Sequence, residues 1–211
     1  MRIWLFPTVV VLLVAGCTSG PSAPDEGSYI ESISGERAIK DRQFQDTPDC
    51  TPQTEPNCSP VPPDKRGALL PLRYFPVDPG SNVPAVLKLA ENRPVFEMPT
   101  STGTLRRMQL VGTLDFTLQG QPHSLGAFVE NGTTEIVDLF VPFADVTTGT
   151  ETYSAGRYLD ISPTRTGFYT IDFNRAYNPY CAYNATYECP FPPPSNRLKV
   201  PVRAGEKIPG A

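Results

Sequence analysis

A single histidine and a single tryptophan occur among 211 residues, and the scarcity of histidine makes the first exclusions. With only His123, no pair of imidazoles is available to a metal centre. A serine–histidine catalyst would have to borrow that residue from beside the turn at Gly120-Gln121. Neither a Gly-x-Ser-x-Gly elbow nor a Gly-rich phosphate loop is present, and no cofactor motif is read. Basic residues are not in surplus: 18 Lys and Arg stand against 22 Asp and Glu, a formal charge of −4. That balance argues against nucleic acid as a partner, which requires a basic footprint. No apolar run after Cys17 approaches the roughly twenty residues of a membrane-spanning helix.

What is present begins at the N-terminus. Ile3 to Val14 form a short apolar stretch behind Arg2, too short to span a bilayer, and it closes on Leu13-Val14-Ala15-Gly16-Cys17. Small residues before a cysteine read as the processing site of a bacterial lipoprotein, with residues 1–16 as signal peptide and Cys17 as the lipidated residue. Acyl chains such as palmitate there would each contribute about 0.8 kcal/mol per buried methylene, enough in combination for stable membrane anchoring. An ordinary secretory signal with a chance cysteine is the alternative. The expected organisation is a polar tether over 17–27 and a single domain over 28–211. The protein is placed in the cell envelope, facing the periplasm or the exterior. Thr18, where inner-membrane lipoproteins of enterobacteria carry aspartate, favours the outer membrane in a Gram-negative source.

Proline is the compositional excess, 25 residues where about 5% is usual. Nine lie between Pro48 and Pro79 and six between Pro179 and Pro201. Proline interrupts helices and central strands, so these stretches read as extended wrapping loops. Besides Cys17, cysteines occur as Cys50 and Cys58, then Cys181 and Cys189. An oxidising compartment makes disulfides the default, and four cysteines allow three connectivities, of which the two local pairings are favoured. Zinc usually takes closer Cys-x₂₋₄-Cys spacing, so no metal site is expected.

Ser28 to Phe44 has helical character, with Ser28 and Glu31 in a capping-box spacing and Gly35 as a weak point. The segment 47–63 reads as a Pro/Cys-rich loop. From Leu69 onward the pattern is one of strands: Ala85–Leu89, Val95–Met98, Arg106–Val111 and Leu114–Leu118. Turn signals stand at Gly120-Gln121 and Asn131-Gly132. Ile136–Val141 is apolar on both faces apart from Asp138, as for a central strand. Glu151–Leu159, Phe168–Asn174 and Arg197–Arg203 complete the set, the last with Leu198, Val200 and Val202 inward. The expected fold is mainly β, an antiparallel β-sandwich or open barrel with an N-terminal helical segment and Pro-rich wrapping loops.

The densest motif runs from Asp172-Phe173-Asn174-Arg175-Ala176-Tyr177-Asn178-Pro179-Tyr180-Cys181 into Cys189-Pro190-Phe191-Pro192 and Asn196-Arg197-Leu198. With Val141–Gly149, Glu151–Leu159, Lys40-Asp41, Phe44, Tyr74-Phe75-Pro76 and the turn at Pro99–Gly103, it resembles the bacterial and archaeal family catalogued as domain of unknown function 1684. The resemblance takes in most of the mature chain, and the Cys50/Cys58 segment departs from it as an insertion. It implies a fold and no activity.

Period two puts Thr170, Asp172 and Asn174 on one face and Tyr153, Ala155 and Arg157 on another. Were those strands neighbours, Asp172 would meet Arg157, with Tyr153, Tyr177 and Asn178 nearby. An arginine fork with carboxylates, amides and phenols can bind a small anionic or sugar-like ligand, or serve as a structural ion pair. Tyr177–Tyr183 can stack a sugar or peptide, or pack against the prolines at 192–194. The chain therefore reads as an envelope module, binding or structural, for a small-molecule, glycan or protein partner. The alternative is a small envelope hydrolase, with Asp145 and Asp172 as its carboxylates.

Overall fold

The computed structural model describes residues 25–51 and 57–210. The expected leader, Cys17 and most of the expected tether lie outside the described residues. Seven strands form one antiparallel sheet curled into a half-barrel, so of the two expected layouts the open one is realised. They are β1 (Asn82–Leu89), β2 (Val95–Pro99), β3 (Leu105–Leu118), β4 (Gln121–Glu130), β5 (Leu139–Phe143), β6 (Arg157–Ile161) and β7 (Phe168–Asp172). Their order is β6-β5-β4-β3-β1-β7, with β2 also paired to β3.

The 14-residue β3 organises the sheet. Its first half pairs with β2, its second half with β1, and Met108 to Leu118 with β4. The two runs read from the sequence are thus one strand, with a register shift between Leu110 and Gly112. Glycine is required there because a Cβ would run into the Lys88 carbonyl oxygen on β1. The β3–β4 turn is Gln119-Gly120, one residue earlier than expected, with φ of 51° and 74° as a type I′ turn demands. Alternate residues of the strands point inward, so that Leu114, Leu125, Val141, Phe143 and Ile171 fill the hollow of the sheet.

The C-terminal coil closes that hollow. Arg197–Arg203 is not a strand, although its alternation survives: Leu198 and Val202 are buried while Arg197, Lys199 and Arg203 are exposed. A ladder is absent because Pro201 has no N–H and side chains claim the nearby backbone groups. Asp145 Oδ1 accepts from Val202 N (3.2 Å), Arg157 donates to Val202 O (2.8 Å), and Asn196 bonds Gly126 N, Gly126 O and Pro142 O at 2.7–2.9 Å.

Helix α1 (Glu26–Asp46) begins before Ser28 and passes Gly35 without a break. Asp25 is its N-cap residue, and Ser28 Oγ donates to Asp25 O rather than building a capping box. Only Ile33 and Phe44 of α1 are fully buried, so polar contacts do much of the docking. Arg37 donates to Phe75 O and Asn174 O, Lys40 to Glu206, and Asp41 accepts from Leu72 N. A second helix, α2 (Pro63–Leu69), starts where the Pro-rich loop was expected to end, with proline in its tolerated first turn. Its Arg66 ties down Gln45 O, Thr47 O and Val61 O beside the Cys50–Cys58 disulfide. No helix of the described residues is long and apolar enough to cross a membrane.

Candidate functional site

Strand β6 has two faces with different fates. Arg157, Leu159 and Ile161 point into the closed core, while Tyr158 and Asp160 point outward. Arg157 is 1% exposed and its Nη2 lies 2.9 Å from Asp145 Oδ2. Its other bonds go to the carbonyls of Val202, Ala204 and Glu206. The remaining Asp145 oxygen accepts from Thr147 N, Thr147 Oγ1 and Val202 N. Burial works against the guanidinium charge and the Asp145 carboxylate sustains it. The expected contact between Arg157 and Asp172 does not form, because Arg157 is turned into the core onto Asp145 while Asp172 is held by Tyr29 and Arg175.

Asp172 instead accepts from Tyr29 Oη (2.8 Å) and Asn174 N (3.0 Å), and pairs with Arg175 at 3.2 Å. Asn174 is fully occupied, its amide bonding Tyr29 Oη, Asp78 O and Asp172, its oxygen taking Asp78 N. Asn178 Nδ2 holds Lys207 O, and its backbone N–H donates to Glu206 Oε2 at 2.8 Å. Glu206, 2% exposed, also receives Tyr183 Oη at 2.7 Å and Lys40 Nζ at 2.6 Å. His123 lies within β4 opposite Phe116 rather than in a loop, and Asp138 accepts from Ser162 Oγ.

The outward face of β5 and β6 forms the floor of a cleft of about 660 Å³, within the size range of small-molecule sites. Phe140 and Tyr158 come from the strands, Lys40 and Phe44 from α1, and Tyr177, Tyr180 and Tyr187 from the coil after β7. The rings meet edge to face, with centroids 4.7 Å apart for Phe140–Tyr158 and 5.8 Å for Tyr158–Tyr177. Two hydroxyls are consumed internally: Tyr158 donates to Pro190 O and Tyr177 to Asp160 Oδ2, each at 2.6 Å. Asp160 stays exposed, yet the protein around it, with Asp138 nearby, lifts its carboxyl above the ordinary range.

Cys189 lines the same cleft, with Cys181 behind it. Cys50 and Cys58 are bonded as expected, but Cys181 and Cys189 are two buried thiols rather than a second disulfide. Both sulfurs are engaged in hydrogen bonds: Cys189 Sγ accepts from Cys181 N (3.2 Å), and Cys181 Sγ from Tyr153 Oη (3.8 Å). The bond from the Cys189 thiol favours a thiolate at Cys181, pulling it below the ordinary thiol value. Burial beside these sulfurs pushes the Tyr153 phenol up to about 12.

The profile of the family described as "Protein of unknown function (DUF1684)" matches residues 69–207. This chain belongs to that family. Among solved structures it is similar to the solution NMR structure of an uncharacterised protein from Haloarcula marismortui. Identity is 38%, coverage is 86% of this chain and 95% of that one, and the TM-score is 0.65. No curated protein matches. The DUF1684 match begins beyond the Cys50–Cys58 loop and beyond α1, which supplies one wall of the cleft.

In this DUF1684 chain the seven candidate pocket residues do not converge. Asp145 joins Arg157, Asp172 joins Asn174, Asn178 meets Glu206, Tyr153 meets Cys181, and only Tyr177 reaches the cleft. Glu206, missed in the sequence, had little to mark it beyond one acid following Ala204-Gly205. Phe140, Tyr158 and Asp160 were legible only as outward positions of strands. Among the described residues no three His, Cys, Asp or Glu side chains gather as a metal site.

Proposed function

We propose that the chain is a lipid-anchored ligand-binding module of the cell envelope, with no reaction of its own, that holds a small molecule between α1 and the outer face of β5–β6. The observation that carries this is the aromatic cleft, large enough for a ligand and walled by rings whose hydroxyls are partly occupied within the protein. The Asp145–Arg157 pair that a hydrolase would use is saturated and sealed, so it offers no substrate a carboxylate. The envelope placement is supported by the Leu13–Cys17 signature and the Cys50–Cys58 disulfide. Thr18 favours the outer membrane in a Gram-negative host.

Two experiments test the halves of this proposal. In detergent phase partition, the full chain enters the detergent phase and Cys17→Ser stays in the aqueous phase; identical partition of the two overturns the anchor. In two-dimensional NMR, a fragment set of aromatic, sugar and amine compounds moves resonances clustered on Phe140, Tyr158, Tyr177 and Lys40. Shifts scattered over the surface, or none, overturn the binding site.

A further inference from the structure

The charges on the cleft walls do not cancel. Lys40 is neutralised by Glu206 at 2.6 Å, Glu36 by Arg175 at 2.7 Å, and Arg106 is shared between Glu188 at 3.5 Å and Glu130 at 3.8 Å. Asp160 lines the same cleft and forms no ion pair among the described residues; it accepts a hydrogen bond from the Tyr177 hydroxyl. The titratable groups facing it are Tyr177, Asp138 and Lys40; desolvation by the surrounding protein, then Asp138, lifts its carboxyl, while Tyr177 and Lys40 oppose. Around it stand π-faces, which attract cations. The protein already uses that attraction once, since the Lys40 ammonium sits 5.1 Å from the Tyr177 ring centre and 5.3 Å from that of Phe44.

From this we infer that the cleft takes a small organic cation, an amine or ammonium carried on an apolar body, with the charge beside Asp160 and the body against Phe140 and Tyr158. This rests on the cleft being a ligand site. Two other ligand chemistries fit less well. An anion would meet Asp160, with Lys40 and Arg106 already spent on Glu206 and Glu188. A sugar would look for tyrosine hydroxyls, and those of Tyr158 and Tyr177 are taken.

The test is an NMR titration of the full chain at neutral pH with three probes of one shape: phenethylammonium, 3-phenylpropionate and 3-phenyl-1-propanol. The ammonium is expected to bind at the cleft about tenfold more tightly than either of the others, and less tightly as salt is added. Asp160→Asn keeps an oxygen to accept from Tyr177 and should bring the ammonium down to the level of the alcohol. Wild-type affinity for the propionate or the alcohol equal to that for the ammonium overturns the cation and leaves the cleft standing. Unchanged ammonium binding in Asp160→Asn overturns the role of Asp160, and with it the inference. Silence of the cleft resonances towards all three probes overturns both the inference and the binding module.

Discussion

Asp145→Asn preserves the shape of a buried side chain, removes its charge and leaves the surrounding donors without a satisfactory arrangement. If the asparagine oxygen keeps the bonds from Thr147 and Val202, its amide nitrogen faces Arg157 Nη2, donor against donor. If the amide turns over, it recovers Arg157 and loses those donors. In both orientations a guanidinium that is 1% exposed sits in the core without its counter-charge. Breaking one side of such a pair costs about 3–5 kcal/mol. At about 2–4 °C per kcal/mol for a chain of this length, the melting temperature should fall by about 6–20 °C. The sole tryptophan, Trp4, lies ahead of the described residues, so urea unfolding is best followed by far-UV circular dichroism. Arg157→Met and the double variant complete a cycle in which the double is less destabilised than the sum by about 2 kcal/mol. A loss below about 1 kcal/mol for Asp145→Asn, or strict additivity, would refute the view that this pair locks the C-terminal coil.

Asn196→Ala strips partners from Gly126 N, Gly126 O and Pro142 O at once, and a loss of at least about 2 kcal/mol in the same urea assay is expected. Gly156→Ala places a methyl 2.6 Å from Phe143 O and 2.7 Å from Pro192 Cγ at a φ of +86°, and should lower the melting temperature measurably. Burial lifts the Asp41 carboxyl above its ordinary value, with the Leu72 N–H opposing. A folded value above the unfolded one means the native state holds the proton more tightly, so ionised Asp41 costs stability at neutral pH. That cost vanishes below the unfolded value near about 4. Asp41→Asn should raise the urea midpoint at pH 7 and leave it unchanged near pH 3; a lower midpoint at pH 7 contradicts this sign. Ellman titration in denaturant of protein starting at Thr18, purified without reductant, should find Cys181 and Cys189 as thiols, and a count of zero would mean a second disulfide.

Most of the sheet was legible because strand alternation is a local signal. Ile136–Val141 read as apolar on both faces, and β5 does have two: Leu139 and Val141 face the core, Phe140 the cleft. What escaped depends on groups far apart in the chain. Leu198 and Val202 alternate as a strand would, yet the backbone there is held by Asp145, Arg157 and Asn196, whose partners only the fold supplies. The Asp172–Arg157 contact failed for a related reason: alternation sorts the two faces of a strand but does not say which of them turns to the core. Helix α1 was readable, whereas its docking through Lys40 and Arg37 to Glu206 and Asn174 spans more than 130 residues. The cleft, made where α1, two strands and the coil converge, was legible only in its Tyr177–Tyr183 portion.

The backbone acceptors of Arg157 and the counter-charge of Lys40 all lie between Val202 and Glu206, a segment synthesised after every one of the seven strands. A nascent chain that has emerged only as far as β7 holds a buried cation with too few partners and a helix without its main polar anchor. Completion of the core therefore depends on this late segment. That dependence makes the C-terminal coil part of the core rather than a wrapping around it. It also makes a proteolytic cut just ahead of Val202 far more damaging than the coil conformation there suggests.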